Sequence, residues 1–154
     1  MKTAPPGGPG ASPEPAEADE RHLLVQAGAD YCALPLSRVR RIVRQIQVSP
    51  LAGASPELKG LAEFGGEPLP VLDLARLVGA SPGPTPLYPV TVIGWAGPDD
   101  ARELVGLSVD AVVEVVAVPS DTVVAGGEGV VRGETVVGER DIRVISLAAL
   151  GRAG

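Results

Sequence analysis

The sequence is short of the residues that carry most enzymatic chemistry. Its 154 residues include one Cys, one His and no Asn. Cys32 alone cannot close an intramolecular disulfide, and His22 alone cannot anchor a His-rich metal site. Acid–base pairs built on histidine have at most one candidate, so no catalysis, metal or cofactor is expected. Aromatic residues make up 3% of the chain: Tyr31, Phe64, Tyr88 and Trp95. No apolar run reaches the roughly 18 residues of a membrane span. The start, Met1-Lys2-Thr3-Ala4-Pro5-Pro6, lacks the apolar stretch of a secretory signal. A cytoplasmic location without membrane insertion is therefore expected. Positive charge is in deficit, with Lys+Arg 13 against Asp+Glu 19 and a net charge of −6. That makes a whole-domain nucleic-acid binder unlikely on electrostatic grounds and leaves room only for a local basic patch.

What the chain has in quantity is proline, glycine and β-branched residues. Residues 1–20 hold five Pro and three Gly, with four acidic side chains and one basic one. They show no apolar periodicity, so burial cannot offset the entropy of ordering them, and a disordered tail is expected. Removing its −3 from −6 leaves −3 for residues 21–154, which are read as one folded domain.

Inside that domain His22–Gln26 and Tyr31–Leu34 read as a hairpin around the turn Ala27–Asp30. Leu36, Val39, Ile42, Val43 and Ile46 recur at helical spacing behind Ser37, a candidate N-cap. A short helix followed by a strand over Ile42–Val48 is the expectation. Gly65–Pro68 reads as a turn before the apolar run Leu69–Leu74. Residues 80–89 carry four prolines and read as a long, stiff, exposed connection. Strands are expected at Val90–Trp95, Glu103–Val109, Val112–Val118, Val130-Val131, Thr135–Val137 and Ile142–Leu147, with a helical turn at Ala148–Leu150. Short strands with turn signals every eight to twelve residues suggest an all-β fold of small barrels or a sandwich.

The motif search is mostly negative. Gly127 to Gly133 has the glycines of a phosphate loop without its Lys-Ser/Thr or a following helix, and is read as a turn. Gly106-Leu107-Ser108-Val109-Asp110 lacks the closing Gly of a nucleophile elbow and has no downstream His, so Ser108 is read as a strand residue. His22 is expected to be solvated and Cys32 to be a small buried hydrophobe. Asp73 and Asp110 each follow an apolar run, where a carboxylate can hydrogen-bond backbone groups and turn the chain. Leu72 is placed in the core. Arg38, Arg40, Arg41 and Arg44 put four guanidiniums in seven residues. On a helix Arg40 and Arg44 would share a face with Arg41 beside them. They are either a solvated face or a docking patch for an acidic partner or nucleic acid.

The order of these elements resembles the CheW family of bacterial chemosensory coupling proteins over residues 21–150. Leu23-Leu24-Val25 through Tyr31–Leu36, with Val39 and Ile42, is similar to the family's opening hairpin. Pro50, Pro56, Gly60, Gly66 and Leu69–Leu74 resemble its central motif. Val105–Val112, Val115 and Pro119 resemble its second-half signature. The resemblance implies two linked five-stranded SH3-like β-barrels with short helical turns. It implies a non-enzymatic adaptor at chemoreceptor arrays. The partners would be the cytoplasmic tip of a methyl-accepting chemoreceptor, the regulatory domain of a CheA-type histidine kinase and other CheW-like proteins. Three departures stand out. The central motif usually reads Gly-x-x-Asn-x-Arg-Gly, whereas Gly60–Gly66 has Glu63 for the Asn and Gly65 for the Arg. An acidic residue is usual where Arg41 stands, and Ile145-Ser146 replaces a common Leu-Asp. By the resemblance, Val39, Arg41, Arg44, Glu63 and Gly65 are the partner-binding residues, on a surface altered so that the kinase contact is weakened or lost. The Arg-, Ala-, Gly- and Pro-rich composition suggests a GC-rich genome and would suit a Frz-type gliding-motility pathway.

Overall fold

The computed structural model describes residues 19–84, 86, 88–119, 122–126 and 129–152. The expected tail, apart from Asp19 and Glu20, and the first two residues of the expected phosphate-loop turn lie outside them. Eleven strands occur in the order β1 (Asp19–Ala27), β2 (Asp30–Pro35), β3 (Val39–Arg44), β4 (Leu58–Phe64), β5 (Glu67–Asp73), β6 (Val90–Ala96), β7 (Glu103–Val109), β8 (Ala111–Pro119), β9 (Val124–Ala125), β10 (Val131–Val137) and β11 (Arg140–Ile145). One α-helix, α1 (Leu74–Val78), follows β5, and single 3-10 turns occupy Leu36–Arg38, Asp99–Ala101 and Leu147–Arg152.

The strands form a six-stranded sheet, β8-β1-β2-β11-β10-β9, and a five-stranded sheet, β3-β6-β7-β5-β4. Each has the same plan: an outer strand, a hairpin, a parallel step and a second hairpin. The parallel steps are β2–β11 and β5–β7. Residues 39–109 build the five-stranded sheet without interruption, while the six-stranded sheet joins the first hairpin to the last four strands. One sheet is thus a circular permutation of the other, and the sixth strand, β9, is only two residues long. The five-stranded sheet is drawn round on itself beyond β3. Ser49 and Leu61 of β4 exchange backbone hydrogen bonds of 2.8 and 2.9 Å.

Strand alternation sorts the apolar residues into three cores. Leu24, Ala33, Val118, Ile142 and Val144 fill the six-stranded sheet. Ala62, Leu69, Val71 and Ile93 fill the five-stranded one, with Val43, Phe64 and Leu104 around them. The largest core lies between the sheets. There Leu23, Val25, Cys32 and Leu34 of the first hairpin meet Val90, Val92, Val105, Leu107 and Val109 of the β6–β7 hairpin, with Leu74 and Leu147 sealing the ends. Both hairpins are buried on both faces, which is why their sequences read as continuous apolar runs. Gly106 serves this packing, because a Cβ there would come within 2.8 Å of Thr91 Cγ2.

Five sequence expectations change. The helix behind Ser37 is a single 3-10 turn, and β3 begins at Val39 and ends at Arg44. The β-branched Val39, Ile42 and Val43 and the hydrogen-bonding edge of β6 outweigh the helical spacing. The strand expected to run on to Val48 stops where Gln45 takes a left-handed φ of 59°. His22 is 2% exposed rather than solvated, its Nδ1 lying 2.9 Å from the Glu20 carbonyl. It is buried because β1 starts at Asp19, before the expected boundary at residue 21, and is flanked there by β2 and β8. The proline-rich connection is not free along its whole length. Ala29 N–H donates to Ser81 O at 2.9 Å, and Gly83 lies so close to Gly28 that a Cβ would sit 2.7 Å from its carbonyl carbon. Finally, Leu72 is half-buried against the inter-sheet core rather than enclosed in it.

Two outcomes follow from the central hairpin. Deleting residues 1–18 should leave the melting temperature unchanged by calorimetry, whereas deleting 1–20 should lower it, because Asp19 and Glu20 pair with Pro119 and Val118 of β8. Burial pushes the Cys32 thiol up to about 12. Roughly a thousandfold less thiolate than for an ordinary cysteine is then present at pH 8. Maleimide labelling of the native chain should be correspondingly slow and should become fast in denaturant.

Candidate functional site

Of the exposed large apolar residues, Ile42, Val113 and Val115 lie on the two strands that flank the inter-sheet core, β3 and β8. β3 is an edge strand, paired only with β6. Its register sets Ile42 and Arg44 opposite Val92 and Val90, on the inter-sheet face. Arg41 and Val43 stand opposite Ile93 and Thr91, on the other face. Arg40 falls at a bulge between them. The four arginines therefore do not form one helical patch. Arg38 is withdrawn altogether, because its guanidinium donates to Trp95 O at 3.2 Å, Gly97 O at 2.6 Å and Asp99 Oδ1 at 2.8 Å. It fastens the 3-10 turn to the β6–β7 connection. Arg40, Arg41 and Arg44 remain exposed.

On the other side of the inter-sheet core, β8 is the edge of the six-stranded sheet. A second bulge at Val113 breaks its pairing with β1, and Val113 and Val115 are exposed. Between β3 and β8 the two sheet faces open into a groove of about 460 Å³, lined by Ile42, Arg44, Tyr88, Val90, Asp110, Ala111 and Val112. Ile42 is 44% and Tyr88 63% exposed, so both present apolar side-chain surface at the groove.

Asp110 stands at the crossing from β7 to β8. Its N–H donates to Gln26 O at 2.8 Å. Its carboxylate accepts from Gly28 N–H. Burial raises the Asp110 carboxyl above the ordinary aspartate range, the Gly28 hydrogen bond and Lys59 opposing the rise and Asp73 adding to it. Asp73 has the structural role read from sequence. It caps α1 by accepting from Ala75 N–H at 3.1 Å, and Gly79 closes that helix with φ 65°.

Of the residues singled out from sequence, Val39, Arg41 and Arg44 share β3, although Val39 packs on the inter-sheet core. Glu63 and Gly65 lie apart from them, on β4 and in the β4–β5 turn at the opposite end of the sheet order. Gly65 and Gly66 have φ of 61° and 82°, the two left-handed positions of a tight hairpin turn. Beside this turn Phe64, Pro68, Pro70, Trp95 and Leu104 line a smaller groove, rimmed by Glu67 and Glu103. Sequence reasoning did not place Tyr88, Asp110 and Val112 at a groove, nor Val113 and Val115 on an exposed edge. The signal available was the unalternating Val-Val-Glu-Val-Val of residues 112–116, which a strand with one solvated face does not need. Among the described residues, no group of three or more His, Cys, Asp and Glu is placed to hold a metal ion, and no helix is long and apolar enough to cross a membrane.

Comparison with known proteins gives one consistent picture. A family model described as CheW-like domain matches residues 21–153. Among solved structures, the scaffolding protein TtCheW from Thermoanaerobacter tengcongensis superposes with a TM-score of 0.71 at 18% identity, over 84% of this chain and 90% of that one. No curated protein sequence matches.

The raised Asp110 carboxyl has a definite pH consequence. The folded state holds a proton more readily than the unfolded one, so stability falls as pH rises from about 3.8 through the folded-state value. Asp110→Asn keeps an acceptor for Gly28 N–H and removes the titration. Urea unfolding should show the variant no less stable at pH 7, with that loss on raising pH absent.

Proposed function

Because the chain belongs to the CheW-like domain family, we propose that it is a non-enzymatic adaptor of a bacterial chemosensory array in the cytoplasm. It would seat the cytoplasmic tip of a chemoreceptor and meet a CheA-type kinase regulatory domain or another CheW-like protein. The observation that supports this most is the groove between β3 and β8. Ile42, Tyr88, Val90, Ala111 and Val112 line it together with Arg44 and Asp110, and it is bounded by two strands that have no further neighbour in their sheets. A helix of a receptor hairpin can cover Ile42, Tyr88 and Val112 there, the helix-in-groove mode of recognition. The competing reading, a basic patch for nucleic acid over Arg38–Arg44, is not favoured. Arg38 is spent on internal hydrogen bonds, and the remaining arginines fall on two strand faces and a bulge.

The same reading gives the two altered positions separate places. Arg41 lies on β3 and Gly65 in the β4–β5 turn, so a partner spanning both would touch two strand edges of one sheet. A kinase domain that meets the family's usual acidic residue with a cation would face Arg41 instead, and like-charge juxtaposition can cost several kcal/mol. It would also find no guanidinium at Gly65.

The test is titration of the full chain against a receptor tip fragment and a kinase regulatory domain. Receptor binding should be measurable and kinase binding weaker. In the double variant Arg41→Glu with Gly65→Arg, kinase binding should strengthen while receptor affinity changes less. Gly65 has open space for a side chain, but its φ of 61° makes Arg there cost about 1–2 kcal/mol, so a melting curve accompanies the titration. Equal affinity of the unaltered chain for both partners would overturn the weakened-kinase reading. Binding to neither would overturn the adaptor reading itself.

A further inference from the structure

The smaller groove beside the β4–β5 turn comes from a split in the five-stranded sheet. β5 pairs with β4 from Glu67 to Leu72 but with β7 only from Val71 to Asp73. Before Val71 no ladder joins β5 to β7. Proline is tolerated on a stretch of strand with one side unpaired, and this stretch holds Pro68 and Pro70. The gap between Glu67–Pro70 and the start of β7 is a groove of about 320 Å³. Trp95 stands opposite Leu104 in the β6–β7 ladder, and Phe64 opposite Glu67 at the end of β4. Strand alternation puts Trp95 on the face of Ile93, so the groove carries the core of Ile93, Leu69 and Leu104 out to the surface.

The lining combines two chemistries. Phe64 and Trp95, two of the chain's four aromatic residues, are half-buried and offer ring surface. Glu67 and Glu103 are exposed at the rim, one on each side of the gap, and no basic side chain lines it. Arg102, next to Glu103 in sequence, is held by Asp99 at 3.3 Å. An occupant seated by a backbone ladder would find two of the four residues on the β5 wall without an N–H. A polyproline II segment makes no ladder and packs its prolines on aromatic rings. A guanidinium pairs with carboxylates and lies flat on an indole face, which suits arginine better than lysine. We propose that this groove receives an extended, proline-rich segment of a partner protein that carries an arginine, with the prolines over Phe64 and Trp95 and the guanidinium at the Glu67 and Glu103 rim. It is a second docking surface, on other strands than the seat between β3 and β8, and does not rest on the adaptor reading.

Trp95 is the chain's only tryptophan, so its fluorescence reports on this groove alone. The full chain is titrated with three short synthetic peptides. One has prolines around an arginine, the second has glutamine for the arginine, and the third has alanines for the prolines. The first should shift the Trp95 emission and bind about tenfold more tightly than either of the others, and the advantage of arginine should shrink as salt rises. In Glu67→Gln with Glu103→Gln the arginine and glutamine peptides should bind alike, a melting curve serving as the check on folding. No emission shift with the arginine peptide would overturn the site. Equal binding of the alanine peptide would overturn the polyproline selection, and equal binding of the glutamine peptide to the unaltered chain would overturn the charge selection. A peptide of residues 1–18, with its five prolines and Lys2, bound as tightly as the arginine peptide would assign the groove to the chain's own N-terminal segment and overturn the partner. Self-association of the chain that the arginine peptide displaces would assign it to a second copy instead.

Discussion

The burial of two hairpins against each other is the constraint from which the rest of the molecule follows. β1–β2 and β6–β7 each lie at the middle of a sheet, and each must find apolar neighbours on both faces. One face of each is covered from inside its own sheet, by Leu24 and Ala33 in one and Ile93 in the other. The opposing faces, with Val25, Leu34, Val92 and Leu107 fully enclosed, are covered by each other, with Leu74, Val130, Ile145, Leu147 and Leu150 completing the cluster. At about 25 cal/mol per Å² of apolar area, this shared interface is the largest favourable term that joins the sheets. Truncating one of its leucines would cost about 2–5 kcal/mol, a large part of the stability of a domain this size. Once the hairpins occupy the middle, the strands beside them, β3 and β8, become the flanks of the seam. The groove between those flanks is the place where the inter-sheet core runs out of protein to cover it.

Chain connectivity then decides where polar side chains are needed inside this seam. The chain passes between the sheets twice, at Leu36–Arg38 and at Asp110. Both crossings leave backbone groups without ladder partners, and each is satisfied by a charged residue. Arg38 takes up two carbonyls of the β6–β7 connection, and Asp110 ties its own N–H and carboxylate to the β1–β2 end. A third stitch, Arg143, donates to Val78 O at 2.6 Å at the end of α1 and pairs with Asp30 at 3.2 Å. These residues look like surface charges in the sequence but join one sheet to the other. That is the physical reason a run of arginines could not be read as a single patch: burial of one guanidinium depended on carbonyls 57 and 59 residues away.

The parts legible in sequence were those fixed by local pattern and turn chemistry. The first hairpin, most strands of the second half, the glycine turn at Gly65-Gly66 and the closing helical turn stand close to where composition placed them, although the runs read at Val130-Val131 and Thr135–Val137 are one strand, Val131–Val137, and β9 was not read. The buried thiol of Cys32 and the structural role of Asp73 were legible for the same reason. What failed was set by distant partners. β3 had helical spacing and became a strand because β6 offered it a hydrogen-bonding edge. β4 and α1 were not read at all, β4 because its pattern is interrupted by Gly60 and α1 because five residues are too few to show a period. His22 was read as solvated because nothing nearby in sequence covers it, whereas β2 and β8 do so in space. Of the candidate site, Arg41 and Arg44 are exposed on β3, and a groove between the sheets is what the family resemblance implied; its lining residues were not legible, because its floor is assembled from β3, the proline-rich connection and β8.

A binding module built this way can change partners without changing fold. Its departures from the family pattern at Arg41, Glu63 and Gly65 are on edge strands or in an exposed turn, and none enters a core cluster. Exposed charges of this kind contribute about 0–1 kcal/mol to folding. The same charges set against a partner can cost or contribute several kcal/mol. Under the proposed adaptor function, mutations at the flanks would be nearly silent for stability and would act on recognition, while mutations in the hairpin seam would be the reverse. The one position that belongs to both classes is Asp110, which lines the groove and also satisfies Gly28 N–H at the crossing.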